Sequence, residues 1–163
     1  MAIQLTAEDA RQSMQAHVAF KGAEIHEKYG PHIGWNELLA LLQDKSCVRY
    51  PCDVMFDSSP LNDNEFALPV PKGERPEAGF TICVHPYFAT QLDRVAYLVL
   101  YQVVLVNYGE FASADDAEIF GSHALGISTD EYYEILCAMA DEISDGPACG
   151  GAGVAGSDLC KKC

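Results

Sequence analysis

Three cysteines near the end of the chain have a spacing typical of metal-binding thiolates. Cys149, Cys160 and Cys163 lie within GPACGGAGVAGSDLCKKC, residues 146–163, in the pattern C-x10-C-x2-C. Two thiolates separated by two residues can bind one ion, because the short turn directs both sulfurs to a common point. Zinc sites and iron–sulfur clusters usually have four ligands. These tail cysteines therefore predict a zinc or iron–sulfur site, with the fourth ligand from elsewhere in the chain or from a second chain.

The tail has two other interpretations. Lys161 and Lys162 lie between Cys160 and Cys163, and their positive charges would favour the thiolate form and so thiol exchange. Glycine-rich ends are also typical of flexible termini, in which the cysteines have no specific role. One C-x-x-C pair fits all three interpretations, since the specific zinc pattern needs two such pairs.

Histidines supply a second set of candidates. His26 and His32 flank a Gly30-Pro31 break, where a turn could bring two imidazoles to a metal, although solvated helix ends are the simpler interpretation. His85 ends an apolar segment just before a proline, a position that often presents functional groups. With Asp93 it could form a His–carboxylate pair in an enzyme of unrecognised class, whereas a structural hydrogen bond is the simpler expectation.

The common catalytic motifs are missing from the sequence. It has no G-x-G-x-x-G or G-x-x-x-x-G-K-[ST] phosphate loop and no G-x-S-x-G nucleophile elbow. His26-Glu27 begins an H-E-x-x-H motif, but Gly30 stands where the second histidine belongs. These gaps argue against the familiar nucleotide-dependent, hydrolase and metallopeptidase chemistries.

The charge of the chain is strongly negative and unevenly distributed. It carries 24 acidic and 10 basic side chains, a net charge of −14. Between Arg94 and Lys161 there are 11 acidic residues and no lysine or arginine. Such a surface repels nucleic-acid phosphates and anionic lipid headgroups. We therefore expect no nucleic-acid or membrane partner; the charge serves solubility, or forms a docking face for a basic protein.

The length and hydropathy of the chain indicate one soluble domain. At 163 residues it can bury a substantial core. Its longest apolar run, residues 95–106, has 12 residues, well short of the ~20 that span a bilayer. The first residues lack the basic start and apolar core of a signal peptide. We expect a cytoplasmic protein with a globular domain over residues 1–145 and a tail over residues 146–163.

Apolar spacing and capping residues predict an α+β fold. A Thr6–Asp9 cap, a Ser113 cap with a Gly126 stop, and a capping box at Ser128 mark helix ends. The 95–106 run is predicted to be a central buried helix. The full prediction is a long N-terminal helix at about 7–29, a short helix at 35–43, an antiparallel sheet of three strands at 47–57, 65–70 and 79–85, the buried helix, and two C-terminal helices at about 113–125 and 128–143.

This order of elements resembles that of compact zincin metallopeptidase domains. The resemblance places Tyr101-Gln102-Val103-Val104-Leu105 where zincins carry H-E-x-x-H, and Glu118 on the later helix that supplies an acidic ligand. Tyr, Gln and Leu at the three chemical positions cannot supply the usual zinc ligands and general base. The resemblance therefore implies a scaffold without peptidase activity.

These observations together favour an accessory protein that works by binding. A basic partner would dock on the acidic C-terminal half, and the tail cysteines would hold or transfer a metal or cluster, or exchange thiols. The alternatives are an enzyme with a pocket near His85 and an inactive metallopeptidase-like interaction module.

Overall fold

A computed structural model describes residues 4–144 and confirms the α+β class. The tail and its three cysteines lie outside the described residues. In chain order the elements are α1 (Ala7–Tyr29), α2 (Trp35–Leu42), β1 (Cys52–Phe56), β2 (Ala67–Pro71), β3 (Phe80–Val84), α3 (Leu92–Tyr108), α4 (Ala114–Leu125) and α5 (Thr129–Ser144), with short 3-10 turns at Pro76–Ala78, Pro86–Phe88 and Gly109–Phe111.

The sheet is mixed, so the prediction of a wholly antiparallel sheet was wrong. Its order is β1-β3-β2, with β3 parallel to β1 and antiparallel to β2. Ile82 in the middle of β3 is paired with Val54 on one side and Pro69 on the other. The last strand along the chain is thus inserted between the first two, which therefore do not form a hairpin. Pro69 lies on an edge strand, where its missing N–H removes no central ladder bond.

The buried central helix is confirmed and runs slightly longer than predicted. Along α3 the apolar residues are buried on nearly every side, including Leu98, Val99 and Val103, which are fully inaccessible. The helix packs against β2 and β3 on one side and against α4 on another. A helix apolar all round needs such enclosure, and of its 17 residues only Asp93, in the first turn, is fully exposed.

The predicted caps of α1 and α4 are present, and at the start of α5 the Ser128 hydroxyl accepts a hydrogen bond from the N–H of Glu131. Thr6 and Asp9 form a reciprocal capping box at the start of α1, as do Ser113 and Asp116 at the start of α4. Gly126 ends α4 in the left-handed conformation, with φ 71°, which glycine adopts without steric cost. No helix among residues 4–144 is both long and apolar enough to cross a bilayer.

Close packing against α4 determines where α1 lies. A Cβ at Gly22 of α1 would lie 2.4 Å from the carbonyl oxygen of Phe120 on α4. Such a contact is impossible, so the two helices approach this closely only because residue 22 is glycine. The packing brings Met14 and Lys21 of α1 beside the C-terminal end of α3 and the loop before β1.

Candidate binding site

His85 makes a structural hydrogen bond. Its half-buried ring caps the 3-10 turn that follows β3, and Nδ1 accepts a hydrogen bond from the N–H of Tyr87 at 3.1 Å. Burial lowers the pKa of the His85 imidazole, which favours the neutral form that this bond requires. Asp93 is exposed and makes no hydrogen bond or ion pair with His85 within the described chain. The alternative His–carboxylate pair is therefore not formed.

The other candidate histidines are not brought together. His26 is part-buried, with Nδ1 3.2 Å from the carbonyl oxygen of Ala124 on α4, while His32 is exposed. Within residues 4–144, no three His, Cys, Asp or Glu side chains form a group that could hold a metal ion. The predicted metal ligands Cys149, Cys160 and Cys163 lie beyond this range, and their role stays a prediction.

Three cysteines of the described domain are free thiols. Cys47 is half-buried, and Cys52 and Cys83 are buried. Burial raises the pKa of the Cys52 thiol to about 11 and also raises the pKa values of Cys47 and Cys83. All three are thus protonated at neutral pH, and the thiolate is the form that attacks disulfides or binds metals.

A surface cavity, here called the apolar groove, lies at the C-terminal end of α3. Its volume is about 510 Å³. Apolar side chains from α1, the sheet, α3 and the following turn form most of its wall. The principal ones are Met14, Tyr50, Phe80, Val106 and Phe111. Cavities of this size and lining are typical of small-molecule sites.

The end of α3 places Phe111 at the edge of this groove. Gly109 stops the helix with φ 58°, and the 3-10 turn Gly109–Phe111 follows. Phe111 is 91% exposed, more than any other large hydrophobic side chain in the described part of the chain. An exposed aromatic ring beside an apolar cavity is a feature of interaction sites.

Asn107 ties the wall of the groove to the loop before β1. Its side chain is 9% exposed. Oδ1 accepts a hydrogen bond from the N–H of Arg49 at 2.7 Å, and Nδ2 donates to the carbonyl oxygen of Cys47 at 3.1 Å. One amide thus holds two points of this loop against α3, which fixes the position of Arg49.

Tyr108 is another polar residue of the wall. Its hydroxyl is joined to Nε2 of His17 on α1 by a hydrogen bond of 2.8 Å, and the two rings meet edge to face. Burial raises the pKa of Tyr108, so the phenol stays protonated at neutral pH. The pair crosslinks α3 to α1 below the groove.

A smaller cavity, here called the cationic pocket, adjoins the apolar groove. It has a volume of about 200 Å³, and its lining includes Lys21, Lys45 and Arg49 but no carboxylate. Arg49, Asn107 and Tyr108 line both cavities. The two cavities therefore lie side by side, with these three residues between them.

Sequence reasoning did not find this site. Two features of the sequence could have indicated it. Asn107 is a polar residue at the end of an apolar helix, and Phe111 is a large apolar residue in a short polar segment after that helix. The zincin resemblance pointed instead to Gln102 on α3 and Glu118 on α4, both of which are buried. Comparison with protein-family models, curated proteins and solved structures finds no match to this chain.

Proposed function

We propose that this is a soluble, cytoplasmic binding protein that takes a small apolar ligand in the groove at the end of α3. The observation that carries the proposal is the exposed ring of Phe111 beside a cavity lined by Met14, Tyr50 and Phe80. Leaving such a surface in water is unfavourable, and a ligand that covers it would recover part of that free energy.

Binding is favoured over turnover by the state of the polar groups. The amide of Asn107 is engaged on both sides by the backbone of the 47–49 segment. The hydroxyl of Tyr108 is hydrogen-bonded to His17. A general acid or base needs a polar atom that can reach the substrate, whereas these two hold the wall together.

The size of the cavity sets the expected affinity. An eight-carbon chain buried in the groove would gain up to about 6 kcal/mol, at ~0.8 kcal/mol per methylene. Association costs at least about 4 kcal/mol. The remainder, about 2 kcal/mol, corresponds to a dissociation constant of about 30 mM for an uncharged octyl chain. A natural ligand that fills more of the volume would bind more tightly.

The experiment is a titration of the full chain with 1-octanol, followed by two-dimensional 1H–15N NMR. The expected result is a shift of the backbone amides at Tyr50, Phe80 and residues 105–111 that grows with octanol concentration, and its initial slope gives the relative affinity. Phe111→Ser should weaken binding about fivefold, since an aromatic contact contributes ~0.5–1.5 kcal/mol. Phe20→Ser is the matched control, because Phe20 is 62% exposed on α1 and does not line the groove.

Three results would contradict this proposal. The first is that octanol shifts no groove amides, and the second is that the two serine variants weaken binding equally. The third is that the protein is a dimer that Phe111→Ser converts to a monomer, in which case a second copy occupies the groove. Sedimentation analysis of the same samples distinguishes the last case.

Docking of a basic partner is the second candidate function. Six acidic side chains after Arg94 are exposed, and the described residues 95–144 contain no lysine or arginine: Glu110, Asp115, Asp130, Glu131, Glu134 and Asp141. Their negative charge is complementary to that of a cationic protein. Salt-sensitive binding of a lysine-rich peptide, lost when Asp130, Glu131 and Glu134 are changed to Ser, would support this candidate.

A further inference from the structure

Three basic side chains converge at one place on a chain with a net charge of −14. Lys21 projects from α1, and Lys45 and Arg49 come from the loop between α2 and β1; all three line the cationic pocket. Neither Lys45 nor Arg49 forms an ion pair with a carboxylate in residues 4–144. Lys21 pairs with Glu24 at 3.1 Å. Within the described residues the charges of Lys45 and Arg49 therefore have no carboxylate partner, and an anion between them would relieve their mutual repulsion.

The loop that carries two of these cations is held in place. The N–H groups of Cys47 and Val48 both donate to the carbonyl oxygen of Asp44 at 2.9 Å. The Asp44 carboxylate accepts hydrogen bonds from Lys28, Tyr29 and Ser46, and these bonds hold its pKa well below the usual range. The nearest carboxylate of the loop is therefore already engaged, and Lys45 is exposed beside it.

Both the backbone and the side chain of Arg49 are held by neighbouring residues. Its backbone N–H is bound by Asn107, and its guanidinium carbon lies 5.4 Å from the centre of the Tyr50 ring. A guanidinium that stacks on an aromatic ring uses one planar face, and its N–H donors remain in the plane for an anion.

We infer that the ligand of the groove is an amphiphilic carboxylate, with its chain against Phe80, Val106 and Phe111 and its head among Lys21, Lys45 and Arg49. This inference rests on the proposed function, since it assumes that the groove binds an apolar chain. Its support is that the two cavities adjoin, since Arg49, Asn107 and Tyr108 line both. One molecule can therefore occupy both, and a charge-assisted hydrogen bond is stronger than a neutral one.

The test compares three octyl compounds that differ only in the head: octanoate, 1-octanol and octyltrimethylammonium. At pH 7 octanoate should bind about tenfold more tightly than octanol, the gain of one charge-assisted hydrogen bond. Octyltrimethylammonium should bind most weakly, although the net charge of the protein would attract it. Added salt should weaken octanoate binding and leave octanol binding unchanged.

Substitution of one lysine distinguishes the effect of charge in the cationic pocket from the effect of the net charge of the protein. Lys45→Met should weaken octanoate binding about fivefold and change octanol binding by less than about twofold, since one exposed donor is lost. Lys72→Met is the matched control, because Lys72 pairs with Asp53 and lines neither cavity. It changes net charge by the same amount and should leave both affinities as in the wild type.

The outcomes separate failure of this inference from failure of the proposed function. If octanol and octanoate bind the groove equally, or octyltrimethylammonium binds best, the anion site is refuted and the apolar groove stands. If Lys72→Met weakens octanoate as much as Lys45→Met does, overall charge governs binding and the anion site is refuted. If no octyl compound shifts groove amides, both proposals fall.

Discussion

Asn107 gives the most direct quantitative test of how the site is held together. Asn107→Ala removes the bond from the N–H of Arg49 and the bond to the carbonyl oxygen of Cys47. Each intramolecular hydrogen bond contributes ~1 kcal/mol net, and a buried group left without a partner costs a further ~1–3 kcal/mol. Because Arg49 is exposed and Cys47 half-buried, water can replace part of the loss. We expect the free energy of unfolding to fall by about 2–3 kcal/mol.

The assay is equilibrium urea denaturation of the wild type, Asn107→Ala and Asn107→Leu. Leucine restores the lost volume but neither hydrogen bond, so both variants should lose similar stability if the bonds are responsible. Asn36→Ala is the control, since Asn36 is exposed on α2 and such surface changes stay within about 0.5 kcal/mol.

The same variant should also alter recognition, because Asn107 positions Arg49. In Asn107→Ala the preference for octanoate over octanol should fall about threefold or more, the loss of part of one charge-assisted bond. The reasoning is refuted if Asn107→Ala unfolds within about 0.5 kcal/mol of the wild type. It is also refuted if leucine fully restores stability, which would assign the loss to packing.

Two further predictions concern the end of β3 and the tail. His85→Asn keeps an acceptor for the N–H of Tyr87, so it should be nearly neutral at pH 8. Burial lowers the folded-state pKa of His85, so its contribution to stability is present above the unfolded pKa of ~6.5 and is lost as pH falls through the folded value. Melting curves from pH 8 to 5 should therefore show the wild type losing stability relative to His85→Asn. A stability difference that stays constant with pH would contradict this. Elemental analysis of anaerobically purified protein should find near-stoichiometric zinc or iron in the wild type and none when all three tail cysteines are serine; equal, negligible metal in both would reject the predicted metal site.

Local signals predicted the helices well. The Thr6 and Ser113 caps and the Gly126 stop act within one helical turn of their own positions, so the sequence around each contains the cause. The central helix α3 was harder, because valine and tyrosine favour strands. Its length and its surroundings decided the outcome, since a 17-residue element is long for a strand and has α4 on one side and the sheet on another.

Strand pairing was not predictable by the same means. The antiparallel prediction assumed that consecutive strands pair, which is the common case. Here β3 pairs with β1 in parallel from Cys52↔Phe80 to Phe56↔Val84, across a connection that contains all of β2. The sequence of β1 does not predict this pairing, because the pairing depends on which strand lies in the middle of the sheet.

The site was missed for a related reason. Met14, Arg49, Phe80 and Phe111 come from four separate parts of the chain, and no spacing rule links them. The tail cysteines drew attention because their spacing is local. Asn107 was the best available clue, since an amide in an apolar helix needs a partner when it is buried.

The net charge of the chain and the charges of the cationic pocket favour different kinds of ligand. A net charge of −14 disfavours nucleic acids, because a polyanion must lie along many exposed acids at once. A single carboxylate meets only the charges within about one Debye length, ~8 Å at physiological ionic strength. In the cationic pocket those include Lys45 and Arg49, together with Lys21, whose charge is offset by Glu24, while the nearby carboxylate of Asp44 is already bound by Lys28 and Tyr29. We therefore expect the same chain to disfavour long anions and still bind a small one whose apolar part follows the groove.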